Sequence, residues 1–250
     1  IRKARERGLA EAEGDEAPVA DDEGPAVQLV VENAGVVARD VPQRSRLDPG
    51  EPEAMAHSLA VIADVSTRYD IDGVHVDDYF YPYPEKAPGG QAELAFPDDA
   101  SHARHGQGLA RADWRRRNVD RFVQAMFERV RAIKPWVKVG ISPFGLPRPD
   151  RRPPGIEGFS QYDKLHADVE RWLAEGWLDY LAPQLYWAME PRAQAFGALL
   201  EAWARENVKG RHLWPGLFTS AVARPPRQWA ADELLDQLAL RLGRGLGHDF

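Results

Sequence analysis

An α/β protein of the (β/α)8, TIM-barrel-like class, with its first strand–helix units missing, is predicted for this chain of 250 residues. Three observations predict it. Short apolar segments alternate with amphipathic helical segments roughly every 35 to 60 residues, the pattern of a parallel sheet covered by helices. Returns from helix to strand are short, whereas the loops after strands are long and rich in Pro, Gly and Tyr, as in barrels whose working loops lie at the strands' C-terminal ends. No Gly-rich phosphate fingerprint follows any strand, which disfavours a doubly wound open sheet.

The elements follow in order. Residues 1–26 are charged and nearly free of large apolar side chains after Leu9; this segment is expected to be disordered or damaged, because it buries too little to offset the entropy of ordering. The partial barrel domain is expected over 27–250. It opens with VQLVV (27–31), either a strand or a helical turn. Asp48-Pro49-Gly50-Glu51-Pro52 is a turn and a helix start, after which Met55, Leu59, Ile62 and Tyr69 recur at helical spacing. A strand is predicted over 71–78. Asp113 is expected to N-cap a long helix with Val119, Phe122, Val123, Met126, Val130 and Ile133 on its apolar stripe. Pro135 ends that helix. Strands are predicted at 137–144, 178–187 and 213–218, and helices near 162–175, from Pro191, and over 230–242. Residues 246–250 would begin a fifth strand.

Composition narrows the function classes. With 32 Lys+Arg against 39 Asp+Glu, the net charge is −7, which argues against a duplex nucleic-acid partner. The absence of cysteine excludes disulfides, thiolate metal sites and a cysteine nucleophile. No apolar run reaches the ~18–20 residues that span a bilayer. The chain begins at Ile1, and is expected to be part of something longer. His102, His105, His166, His212 and His248 show no metal-ligand spacing, with His166 expected in a helix and His102 and His105 in a polar loop, so no metal or cofactor is called for.

The densest chemical signal is DGVHVDDYFYPYP, residues 72–84. Side chains alternate along a strand, so His75, Asp77 and Tyr79 share one face while Asp72, Val74, Val76 and Asp78 share the other. With the valines packed on helices, Asp77 points into the barrel at the strand's C-terminal end, and Asp78 sits at the tip. Asp72, at the opposite end, reads as structural. Two crowded carboxylates split their pKa values, so that one holds a proton while its neighbour stays anionic. Glycosidic cleavage needs that pairing. The plainer alternative is that the two acids cap a helix or bind a structural cation. Tyr79, Phe80, Tyr81 and Tyr83 weigh against it, because aromatic faces on a proline-stiffened loop suit the C–H faces of sugar rings.

Further along, Trp114 and Arg115 fall in the first turn of the long helix, on the face where strands end. An arginine there would bind substrate oxygens or hold a carboxylate ionised. Ser142 ends the second strand, and Gln184, Tyr186 and Trp187 end the third, with reach for hydroxyl or acetamido groups. Core packing competes for Trp187. Candidate catalytic residues are therefore Asp77 and Asp78, and candidate substrate-binding residues are His75, Tyr79, Tyr81, Trp114, Arg115, Ser142, Gln184, Tyr186 and Trp187.

The stretches LDPGEPEA (47–54), YDIDGVHVDDYFYPYP (69–84), DWRRRNVDRFV (113–123), IKPWVKVGISPFG (133–145) and WLAEGWLDYLAPQLYW (172–187) together resemble glycosyl-hydrolase-like family ten. That resemblance implies a TIM-barrel glycosidase that cleaves N-acetylated amino-sugar polymers such as peptide-free peptidoglycan strands, with a glycan polymer as partner. It also implies a periplasmic, cell-envelope or secreted location. Its first strand–helix units would precede residue 47, so the barrel is expected to be incomplete. Either Asp77 or Asp78 is the general acid, the other orienting or stabilising; a further carboxylate on upstream strands is the alternative, and a non-catalytic carbohydrate binder is the competing function.

Overall fold

The computed structural model describes residues 47–190, 192–223 and 229–243; the expectations for 1–26, 27–31 and 246–250 fall outside them. Four parallel strands, β1 (Gly73–Val76), β2 (Lys138–Ile141), β3 (Tyr180–Leu181) and β4 (His212–Leu213), form one sheet in chain order. Single bridges at Phe144–Gln184 and Gln184–Gly216 carry the pairing further toward the C-terminal ends. The strand-after-helix alternation makes the parallel order the natural one, since each crossover helix returns the chain to the same end of the sheet.

Register decides what faces what. His75 pairs with Gly140, Gly140 with Tyr180 and Tyr180 with His212, giving one row across the inner face. Glycine stands at 140 because the Tyr180 ring crosses it: a Cβ there would lie 1.8 Å from Tyr180 Cζ. The ring stacks on His75 with centroids 5.6 Å apart, and its hydroxyl shares a 2.9 Å hydrogen bond with His75 Nδ1. On the outer face, Val74, Val76, Val139, Ile141, Leu181 and Leu213 are buried in the core under the helices. Each such side chain contributes ~1.5–3 kcal/mol through burial.

The helices are α1 (Pro52–Arg68), α2 (Asp99–His105), α3 (Arg111–Ile133), α4 (Gln161–Lys164), α5 (Val169–Glu175), α6 (Phe196–Glu206), α7 (Ser220–Ala223) and α8 (Ala231–Gly243). Proline opens α1 where its missing N–H is no loss. In α3 the stripe Val119, Val123, Met126 and Val130 is fully buried, while Phe122 and Ile133 are half-buried. Asp120 ties α3 to α5 by accepting from Trp172 Nε1 (2.7 Å) and Arg171 Nη1 (2.8 Å).

Four expectations need correction. Helix α3 starts at Arg111 behind Ala110, so Asp113 lies inside the first turn and pairs with Arg116 at 2.6 Å instead of capping. The predicted helix 162–175 is two helices, because His166 takes a left-handed backbone (φ 55°) and Asp168 then caps α5 anew. The helix expected from Pro191 begins at Phe196, after a 3-10 turn at Arg192–Gln194; Pro191 itself lies outside the described residues. His102 and His105 sit on α2, not in a loop.

Replacing Gly140 with Ala is expected to cost about 1–3 kcal/mol, because Tyr180 must leave its place on His75. Thermal denaturation checks this; an unchanged melting temperature would mean that the ring does not occupy the space.

Candidate active site

At the C-terminal end of β1 the two acids enter different surroundings. The buried Val74 and Val76 set the phase of the strand, so Asp77 follows His75 on the inner face. There Asp77 Oδ1 accepts two hydrogen bonds, from the Asp78 N–H (2.9 Å) and from Gln184 Nε2 (2.8 Å). The same Gln184 amide donates to the Ser142 carbonyl at 3.1 Å, which fixes its orientation across the strand ends. Asp78 turns away from the inner face and is only 3% exposed. Its Oδ2 accepts the Tyr83 hydroxyl. Burial pushes the Asp78 carboxyl up to about 6, Asp77 adds to the rise, and the Tyr83 bond opposes it. Burial also pulls the His75 imidazole below its ordinary value, opposed by Asp77.

The other candidates divide. Ser142 lies beside the pair but spends its hydroxyl on the Ala182 carbonyl (3.0 Å). Tyr186, 38% exposed, lies against Phe218 with centroids 5.6 Å apart. Burial raises its phenol pKa, with Asp77 and Asp78 contributing. Trp187 is half-buried, edge-on to Phe144 at 5.7 Å. Tyr79 is 56% exposed at the loop tip, edge-on to Tyr83. An aromatic run thus crosses the strand ends from Tyr79 through Tyr83, Phe159 and Phe144 to Trp187.

Three residues lie elsewhere. Trp114 is fully buried, its ring lying over Gly50 and beside His102, so it has no face for a sugar. Tyr81 is 1% exposed, edge-on to Phe96 and His166 beneath the loop. Arg115 does not reach the acid pair. It grips Asp98, whose side chain is fully buried, through Nε (2.6 Å) and Nη2 (2.7 Å), and stacks its guanidinium over Tyr81 at 5.4 Å. Its Nη1 lies 3.2 Å from His166 Nε2; arginine only donates, so that imidazole is neutral with its proton on Nδ1. Burial and the two neighbouring arginines take His166 down to about 3.

Sequence reasoning left Tyr83 among the loop aromatics and passed over Phe159 and Phe218. Tyr83 carried a usable signal: it lies five residues past Asp78 between Pro82 and Pro84, a turn that brings a side chain back toward the strand end. Its ring also lines a cavity of about 550 Å³ between the loop, α2 and α4, with Phe96, Arg115 and Lys164. Among the described residues no group of three or more His, Asp or Glu side chains is arranged to hold a metal, and no helix is long and apolar enough to cross a membrane.

A family model described as Glycosyl hydrolase-like 10 matches residues 22–232. The chain belongs to this family. Relatives within reach of it include the glycosyl hydrolase YngK of Bacillus subtilis (strain 168), 42% identical over 176 residues, which cover 67% of this chain and 33% of that protein. The glycosyl hydrolase DigH of Escherichia coli (strain K12) is 36% identical over 162 residues, 63% of this chain and 35% of that protein. The chain therefore spans about a third of the length of the curated relatives it matches. Among solved structures, the glycoside hydrolase domain of PgaB (BpsB) from Bordetella bronchiseptica superposes with a TM-score of 0.56 at 15% identity, over 89% of this chain and 65% of that one. That likeness is one of fold, and it makes this member of the glycosyl hydrolase-like 10 family a TIM-barrel-like α/β protein.

Substituting Arg115 with Met is expected to cost about 3 kcal/mol, because it leaves a buried carboxylate short of its main partner. Chemical denaturation reads this directly. A loss under about 1 kcal/mol, the range of surface pairs, would return Arg115 to the exposed face.

Proposed function

We propose that this chain carries the working end of a glycoside hydrolase that cleaves N-acetylated amino-sugar polymers, such as peptide-free peptidoglycan glycan strands, outside the cytoplasmic membrane. The observation that carries the reading is the acid couple in unlike surroundings: Asp77 half-buried on the inner face under the Gln184 amide, and Asp78 buried with its pKa near 6. Adjacent carboxylates titrate as a couple. Up to about pH 6 Asp78 holds a proton, while Asp77 is presented to the glycan and stabilises the positive charge that develops at the anomeric carbon. The two ends of the aromatic run, exposed Tyr79 and half-buried Trp187, supply stacking faces for sugar rings. Family membership and the names of the relatives YngK and DigH, both glycosyl hydrolases, support the same reaction class. Gln184 is the positioning group for Asp77, and no cofactor enters the scheme.

Asp77→Asn and Asp78→Asn, made separately in the full chain, are each expected to lower reducing-end release from an N-acetylated glycan by about 10²–10⁴-fold. In the unsubstituted protein the rate should fall as pH rises past about 6, because Asp78 then loses its proton, and the Asp78→Asn variant should lack that limb. Normal turnover in both variants overturns the assignment. Glycan binding with no product at any pH identifies a carbohydrate-binding protein instead.

A further inference from the structure

The loop tyrosine at 83 looks at first like part of the sugar-stacking platform, but its surroundings give it a different task. Its hydroxyl donates to Asp78 Oδ2, and its ring is held by its neighbours: it stacks on Phe159 with centroids 5.2 Å apart and planes 24° from parallel, and it takes Tyr79 edge-on at 5.5 Å. Phe159 is itself anchored through its backbone, since Arg152 donates to the carbonyls of Gly158 (3.1 Å) and Phe159 (2.8 Å). The loop after β2 thus clamps a ring from the loop after β1. A stacking face already covered by Phe159 is not available to a sugar, whereas a rigid phenol is well suited to hold a carboxyl. We propose that Tyr83 is a positioning residue for the acid couple, fixing the orientation of the Asp78 carboxyl and the oxygen on which it carries its proton. The role rests on the reading of Asp77 and Asp78 as the working couple.

The geometry has a definite consequence for the proton. With Oδ2 accepting from Tyr83, a neutral Asp78 carries its hydrogen on Oδ1. The phenol keeps its own proton throughout, because burial and the bond to Asp78 push its pKa far above the ordinary value. The titratable groups that act on Asp78 are Asp77 just past β1, which raises its pKa, and Tyr83 in the loop, which lowers it; Asp78 in turn raises the phenol of Tyr186. The ion pairs of the neighbourhood lie elsewhere, on Asp98, Asp120 and Asp179. Tyr83 is therefore the hydrogen-bonding side chain on Asp78, and it favours the ionised form. Its removal raises the Asp78 pKa.

Tyr83→Phe and Tyr83→Leu in the full chain separate the two roles. A positioning hydroxyl predicts that the Phe variant already loses kcat, by about tenfold, with KM nearly unchanged and the alkaline limb of the rate moved to higher pH. Phe159→Ala should reproduce the pH displacement more weakly. A stacking platform predicts instead that Tyr83→Phe behaves like the unsubstituted protein and that Tyr83→Leu raises KM; that result overturns the proposal. Carbon-13 NMR titration of the Asp78 carboxyl, recorded without substrate, gives a readout independent of activity. An unmoved midpoint in Tyr83→Phe overturns the Tyr83 role whatever the enzyme does. An upward midpoint in a protein that hydrolyses no N-acetylated glycan upholds the Tyr83–Asp78 link and sinks the hydrolase reading alone.

Discussion

The phase of β1 is the constraint on which the site depends. Val74 and Val76 must lie under the helices, since each contributes ~1.5–3 kcal/mol only when buried. A strand alternates strictly, so this places His75 and Asp77 on the inner face and leaves Asp78 on the far side of the turn. A slip of one residue would bury the first acid and expose the valines. The unlike surroundings of two consecutive aspartates thus follow from hydrophobic burial one to four residues earlier in the chain.

Across the sheet, the same alternation assembles partners for Asp77. The inner row His75, Gly140, Tyr180 and His212 is filled by a tyrosine ring lying over a glycine, which gives the strand ends a rigid base. One level higher, Gln184 divides its amide between Asp77 and the Ser142 carbonyl. A hydrogen-bonded amide at this place satisfies a polar group that would otherwise be costly inside a sheet. Away from the site, the buried Asp98, Asp120 and Asp179 each meet an arginine, whereas buried Glu170 accepts the Arg148 N–H and is pushed up to about 7 by burial. Asp78 meets the Tyr83 phenol and neighbours Asp77 instead: burial, with Asp77 adding to it and the Tyr83 bond opposing, raises its pKa to about 6.

Much of the fold was legible in the sequence because it rests on periodicity. The α3 stripe, the stop before Pro135 and the strand at 71–78 follow from local pattern, and all appear within a few residues of where that pattern puts them. The errors have local physical causes. A first turn accepts an acid as readily as a cap does, so Asp113 was misplaced. One residue with positive φ, His166, breaks a helix whose apolar spacing continues through it. Alternation and proximity to strand ends place Asp77 and Gln184 together, as the structure has them, whereas Trp114, Tyr81 and Arg115 lie away from the acid pair. All three are amphipathic side chains, and sequence does not say whether their apolar body or their polar tip meets solvent.

By itself, then, the sequence determined the order of strands and helices, the face on which each β1 side chain lies, and the presence of an acid pair beside aromatic residues. Those properties are set by neighbours within about ten positions. Only the tertiary structure decided that Arg115 serves buried Asp98, that Gln184 serves Asp77 across 107 positions, and that the Tyr83 ring is already covered by Phe159. Such pairings depend on which loops meet above the sheet, and charge, burial and hydrogen bonding between remote segments take their values only once the chain has closed around them.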